Sequence, residues 1–480
     1  RDDVESRGLG DVYKRQAMLN VSNETGYKTW QQVRRIFMEK QNSGFMNKFQ
    51  AALEKYVVPV AMKISQQKHL AAIRDGLTIL VPITIIGGFA ILLAMPPVDA
   101  SVKATNLLTS FLCAWRDFAS AHATTLLIPY NLTIGAISIY VVLGVAYRLC
   151  KHYKMDTISN LITTLLVYLC VAGIPTAYTV GETSVTAIPL TNLGASGMFT
   201  AILVAIGVIE INHLFIKKNL VIRLPDSVPP NVAAPFNVLI PGVVSLIFFM
   251  GIDGLCHTLI GTGFSGLIYA IFQPLLSATG SLPSIIIINL LMTTFWFFGV
   301  HGGNMLGVVV TPVTTAALAL NAEAYAAGKE LPCIFAGAFN TVYGGYISYM
   351  AVVLCLLLFS KASQSKSIAK IAVVSTAFNI NEPVIFGLPT VLNPFTLIIF
   401  YICNNLNVAI AYGLMSSGFL GKFYISLPFT VPGPLQAWLA SMDVKAIFVW
   451  FGLLVLDIII AAPFMKAYDK QLLEQGESAE

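Results

Sequence analysis

The sequence predicts an all-α polytopic membrane protein, and three observations predict it. Of 480 residues, 56% are hydrophobic and only 11% charged, where a soluble domain carries about 25% charged residues. Apolar runs of bilayer-spanning length recur along the chain, and a spanning helix needs about 20 residues. Finally, the lysines and arginines cluster between those runs, as they do in cytoplasmic loops. The runs do not alternate polar and apolar residues, so a strand barrel is excluded.

The runs are Leu77–Ala94, Ile134–Leu149, Leu161–Ile174, Met198–Ile211, Val238–Met250, Ile285–Val300, Ala351–Phe359, Thr396–Ile402 with its flanks, and Ile447–Pro463. Lys68 and Arg74 precede the first. Arg148, Lys151, His152 and Lys154 follow the second. Lys217, Lys218 and Arg223 close the first half, Lys361, Lys366 and Lys370 interrupt the second, and Lys466 and Lys470 follow the last run. Asp99 and Glu182 lie in lysine-poor loops that suit the outer face. This pattern gives about ten spans with both termini cytoplasmic. Ala104–Thr124, with Trp115, Arg116 and Asp117, is too polar to span and is expected as an interfacial helix on the outer face.

The N-terminal stretch is expected to stand apart. Ser6–Gln16, SRGLGDVYKRQ, matches the translation of a common sequencing adapter, so Arg1–Gln16 is expected to be a read-assembly artefact. Native DNA continuous through this region of the source gene would refute that. Residues 17–45 form a polar leader, and Met46 is the more natural start. The proline-rich stretch Arg223–Phe236 is read as a loop dividing an N-terminal membrane half, 46–222, from a C-terminal half, 223–470, with 471–480 as a cytoplasmic tail.

The net charge of +5 comes from loop lysines and arginines and gives no sign of nucleic-acid binding. The seven cysteines are scattered through apolar surroundings, and the six histidines form no metal-binding cluster. No metal or cofactor is therefore expected, and the cysteines read as buried small hydrophobes.

The chemistry concentrates in the second half. Glu382 is the one formal charge between Ile371 and Ile410, inside NINEPVIFGLPTVLNP. A carboxylate at bilayer depth costs at least ~2.5–3.5 kcal/mol and usually faces a cavity and a function. Pro383, Pro389 and Pro394 remove backbone donors, so no regular helix runs through this stretch. The backbone there is broken or re-entrant, which is tolerated at depth only when buried in protein or lining a wet cavity. Asn379, Asn381 and Asn393 offer donors and acceptors to it. The alternative is an interfacial loop with Glu382 in water.

A second candidate is FWFFGVHGGN, where four aromatics lie within the six residues before His301. Aromatic faces beside hydrogen-bonding groups suit a sugar, and Gly302 and Gly303 permit close backbone approach. A structural histidine beside an interfacial aromatic belt is the competing reading. Asp253 and His257, four residues apart, share a helix face and read first as a helix-stabilising pair, second as a proton-coupling site. Glu323 and Glu330, around Lys329 in NAEAYAAGKE, read as a solvated loop.

With these motifs quoted, the chain resembles the membrane IIC component of phosphoenolpyruvate-dependent sugar phosphotransferase systems, in the lactose, cellobiose and diacetylchitobiose branch. HLAAIRDG, IPYNLTIGAISIYVVLGVAY, RLPDSVPPNVAAPFNVLIPG, FWFFGVHGGN and NINEPVIFGLP carry the resemblance, in order, from about Met46 to Lys470. It implies a homodimer held by the N-terminal spans and a sugar site in the C-terminal half, which would include two re-entrant hairpins. Glu382 and His301 would contact the sugar near its 6-hydroxyl, with Asn381 and Asn304 as neighbours and Asn237 as a further candidate. Asn231 departs from the small residue expected in the family. The phosphate would come from the phosphocysteine of a separate IIB protein, supplied by IIA and the general phosphotransferase proteins. With only a short stretch after the last span, no fused IIB domain is expected. Glu382 would be the catalytic group. The competing function is an ion-coupled secondary sugar transporter; a membrane-embedded transferase is disfavoured by the lack of paired carboxylates.

Overall fold

The structure is a computed structural model that describes residues 63 and 66–477 apart from 97, 99–101, 182, 226, 227 and 388–392. The side chains of 108, 180, 230, 231, 364, 382, 386, 387 and 474–477 are also outside the description. The chain divides into the units Arg1–Ala61 and Met62–Glu480, and only the second is described. The expectations for Arg1–Gln16, 17–45, Met46, Asp99, Glu182, the Asn231 side chain and 478–480 lie outside the described residues.

Among the described residues, eight helices are long and apolar enough to cross a membrane, nine if one bent pair counts as a single span, and Thr157–Ala172 is a shorter apolar helix. The first span is α1 (Lys68–Thr78) continued by α2 (Val81–Ala94). Gln67 starts it by accepting a hydrogen bond from the Leu70 amide. The interfacial candidate is helical as α3 (Leu107–Ala121), opened by an Asn106–Thr109 capping box. Leu107, Phe111 and Phe118 form its exposed apolar face. Two short helices, α4 (Ala123–Leu126) and α5 (Ile128–Leu132), lead into α6 (Ile137–Tyr153). α6 packs directly on α1: a Cβ on Gly144 would lie 2.6 Å from the Gly76 carbonyl oxygen. Small residues that let backbones touch are the main means of packing helices in lipid.

α7 (Thr157–Ala172), capped by Asp156, and α8 (Met198–Lys217) complete this bundle. Between them lies an unanticipated antiparallel hairpin, β1 (Thr176–Val180) with β2 (Thr183–Ala187). Its threonines and valines favour extended backbone, and Gly181, at φ +63°, makes the turn.

The proline-rich stretch is only partly a loop. α9 (Pro230–Ile260) already begins within it and carries Pro235 and Pro241 inside. Proline suits a helix's first turn, and membrane helices tolerate it further in. α9 and α10 (Phe264–Thr279) pack against α7 and α8. α10 and α11 (Leu282–Phe297) are the bent pair, at 72°.

α12 (Gly302–Ala326) is a span that no apolar run announced. It also overturns the solvated-loop reading of NAEAYAAGKE for Glu323, while Lys329 and Glu330 lie beyond the helix as that reading expects. Glu323 lies within α12 and accepts a hydrogen bond from the Ala195 amide at 2.7 Å, at the turn that opens α8. Unpaired amides at a helix start stabilise such a carboxylate. Lys329 and Glu330 are exposed. One face of α12, Val313, Ala316, Ala319 and Ala322, joins the core around α6 and α8; another, Val310, Ala317 and Leu318, joins a second core.

The second core gathers α13 (Phe339–Gly344), α14 (Tyr346–Phe359), α17 (Pro394–Ser416), α18 (Gly433–Ser441) and α19 (Lys445–Glu477). α15 (Ser363–Ala377) packs on α14 and on α16 (Glu382–Gly387), and all three contribute to a third apolar cluster.

Candidate functional site

Two interruptions in the C-terminal helices carry the candidate residues. The first separates α11 from α12. Gly299, at φ +73°, reverses the chain, and the Val300 amide returns to the Phe295 carbonyl at 2.9 Å. His301 then caps α12: its Nδ1 accepts from the Asn304 amide at 3.1 Å. An imidazole that accepts at Nδ1 carries its proton on Nε2, which makes Nε2–H the donor of the neutral ring. The Trp296 indole lies against this ring, with centroids 4.3 Å apart. A Cβ on Gly302 would sit 2.4 Å from the Met292 carbonyl oxygen, so a side chain there would push the cap off α11. His301 and Asn304 are both exposed.

Sequence reasoning assigned no role to Arg74 beyond its basic charge. Its Nη1 donates to the Asn304 carbonyl at 3.1 Å, and its Nε to Asp75 at 2.7 Å. A paired Arg-Asp on the first apolar helix was the available signal.

The second interruption separates α15 from α16. Asn379 adopts a left-handed φ of +62°, a conformation asparagine tolerates better than most residues. Its Nδ2 donates to the carbonyls of Phe429 (2.7 Å) and Val431 (2.5 Å), which fastens the break to the strap before α18. The Asn381 carbonyl accepts from the amides of Val384 and Ile385, both at 3.0 Å, and so starts α16. Its side-chain oxygen is buried with no hydrogen-bond partner among the described residues. Glu382 is the first residue of α16, and its side chain lies outside the described residues. Asn393 caps α17 by accepting from the Phe395 amide at 3.0 Å.

The two interruptions share a wall. Trp296 and Phe297 of α11, Tyr349 of α14, Ile385 of α16 and Phe400 of α17 line one small cavity. Trp296 thus touches His301 on one side and faces Ile385, three residues past Glu382, on the other. Aromatic faces, an imidazole donor and amide groups are a set that can hold a polyhydroxylated ring.

Other candidates lie elsewhere. Asn237 is half-buried on α9, whose packing partners are α7, α8 and α10. Asp253 Oδ1 accepts from the Phe264 amide at 2.7 Å and its Oδ2 is 3.7 Å from His257 Nε2, so the pair ties the end of α9 to the start of α10. All seven cysteines are free thiols, five of them buried.

A sequence profile described as "Phosphotransferase system, EIIC" matches residues 74–404. The lichenan permease IIC component of Bacillus subtilis is 32% identical over 91% of this chain and 97% of its own length. The PTS system cellobiose-specific EIIC component of Geobacillus stearothermophilus is 30% identical over 89% of this chain and 95% of its own. The crystal structure of ChbC, the IIC component from the N,N'-diacetylchitobiose-specific phosphotransferase system, superposes with a TM-score of 0.79 at 29% identity, covering 88% of this chain and 99% of that one.

Proposed function

The chain belongs to the phosphotransferase system EIIC family, and from that premise we propose that it is a permease that passes a disaccharide of the cellobiose, diacetylchitobiose or lactose type across a bacterial plasma membrane. The sugar is phosphorylated at its 6-hydroxyl by the phosphocysteine of a separate IIB protein, which IIA and the general phosphotransferase proteins recharge. The observation that carries this reading is the wall shared by the two helix interruptions, with Trp296 set between His301 and the Glu382 helix. Similarity to relatives named for lichenan, cellobiose and diacetylchitobiose supports the substrate class.

In this reading the C-terminal half, 223–470, holds the sugar between His301, Glu382, Asn381 and Asn304, with Asn237 as an outlying candidate. The N-terminal half, 46–222, makes the contact of a homodimer, and both termini face the cytoplasm. His301 donates through Nε2–H to a sugar oxygen. Glu382 accepts the proton of the 6-hydroxyl as its oxygen attacks phosphorus in line. The P–O bond forms as the P–S bond breaks, and the thiolate leaves on IIB. The charged product then cannot diffuse back. No cysteine here is suited to replace that of IIB. Cys333, outside the spanning helices, has its thiol pushed up by burial, whereas a nucleophilic thiolate needs the reverse.

The test separates chemistry from binding. If Glu382→Gln binds labelled cellobiose as the parent does yet forms no sugar phosphate, Glu382 acts on the hydroxyl proton. If binding itself disappears, Glu382 serves to position the sugar. Unchanged binding and unchanged phosphorylation would remove Glu382 from the site.

A further inference from the structure

Asp457, on α19, lies in an apolar run and is fully buried. None of the described ion pairs includes it. Its Oδ2 is 2.8 Å from Asn407 Nδ2 and 3.0 Å from Ser348 Oγ. Ser348 Oγ is also 2.6 Å from Asn404 Oδ1, and Asn404 Nδ2 is 3.4 Å from Thr293 Oγ1. These contacts join α19, α14, α17 and α11. The second oxygen of Asp457 and the side-chain oxygen of Asn407 are both buried with no N–H or O–H donor among the described residues, and the nearby Cys403 thiol is only a weak donor to the carboxyl.

Hydrogen atoms are short in this cluster. Ser348 has one hydroxyl hydrogen but faces two acceptors, Asn404 Oδ1 and Asp457 Oδ2. With the Asn404 nitrogen turned towards Thr293, an ionised Asp457 leaves one of those contacts between lone pairs. One proton on the carboxyl removes the conflict: Asp457 O–H donates to Ser348, and Ser348 donates to Asn404. A neutral acid also avoids an uncompensated charge at bilayer depth. The other titratable groups facing the network are thiols, Cys403 on α17 and, beyond it, Cys355 on α14.

We propose that Asp457 holds a proton and acts as a positioning residue for the sugar site, a neutral hub that sets α11 and α17 through Ser348, Asn404 and Thr293. Thr293 lines the same cavity as Trp296 and Ile385, so the hub ends at the wall of that site. The positioning role rests on the proposed sugar site; the bound proton does not.

The two parts are tested separately on the full chain in lipid nanodiscs. Infrared spectra at neutral pH should contain a protonated-carboxyl C=O band that shifts in heavy water, is missing from Asp457→Asn and is displaced in Asp457→Glu. The absence of any band distinguishing these proteins overturns the bound proton. Labelled cellobiose should bind Asp457→Asn within about threefold of the parent, because the amide stays neutral and hydrogen-bonded, and Asp457→Leu about tenfold more weakly. An Asn variant as weak as the Leu variant overturns the positioning role. A parent protein that binds no sugar overturns that role together with the sugar-site reading, while the infrared band still decides the proton.

Discussion

The helices packed around α6 and those packed around α17 look alike as apolar runs, yet they bury different things. Around α6 the polar side chains pair locally, with one another or with backbone: Asn212 donates to Asn160, and Ser138 and Tyr168 bond each other and the Leu193 and Asn192 carbonyls. Among the described residues this leaves isolated unfilled atoms such as Asn212 Oδ1 and Thr200 Oγ1, and no chain that runs from helix to helix towards a cavity. Gly76 and Gly144 bring α1 and α6 into backbone contact. Around α17 the helices are interrupted at Gly299 and Asn379, and the buried polar groups form a chain from Asp457 to Thr293 with unfilled acceptors. The first region is a packed scaffold. The second spends regular helix on a place where a polar ligand can be met.

Substitutions in the two regions should therefore fail in different assays. The largest effect is expected at Glu382: Glu382→Gln should lower sugar phosphorylation by about 100-fold or more, the usual scale for losing a general base, with thermal unfolding in detergent unchanged. In the scaffold, Ile137→Ala empties a fully packed position on α6 and should cost about 3 kcal/mol. It should lower the unfolding temperature while the folded fraction keeps its cellobiose affinity. Asn379→Ala crosses the two categories. It removes two backbone anchors and places alanine at φ +62°, so about 2 kcal/mol of stability and part of the sugar affinity should go together. The smallest effect belongs to the half-buried cluster at the start of α1, where Lys68 meets Glu210 at 3.0 Å and both bond Tyr153. Lys68→Met should change stability by about 1 kcal/mol, the upper end for an ion pair that keeps about a third of its surface in solvent. A loss of cellobiose affinity in Ile137→Ala without a loss of stability would erase the distinction between the regions.

What could be read without coordinates follows the same division. Long apolar runs announced α2, α6, α8, α9, α17 and α19, because lipid demands continuous apolar surface. α12 escaped notice because GGNMLGVVVTPVTTAALAL mixes glycine, threonine and proline into a helix buried by protein on several faces. Its close packing replaces the hydropathy that a lipid-facing helix needs. His301, Asn304 and the Asn379–Glu382 stretch were visible because glycine and proline break helices there. Asp457 was not, since it sits in an unbroken helix with no such neighbours, and its partners come from helices about 50 and 110 residues away. Asn321 escaped for a similar reason. Its side chain bonds Cys333 and the Phe423 carbonyl and pins two loops, a role fixed only by folding.

The central claim is that this chain delivers sugar to an external phosphoryl donor, and one measurement bears on it most directly. Membrane vesicles containing the chain are loaded with the phosphorylated IIB partner and given labelled cellobiose, with Glu382→Gln vesicles in parallel. The account predicts sugar 6-phosphate inside the parent vesicles and almost none with the variant. Free labelled sugar that accumulates without IIB, and collapses when the proton gradient is discharged, would contradict it and make the protein an ion-coupled transporter.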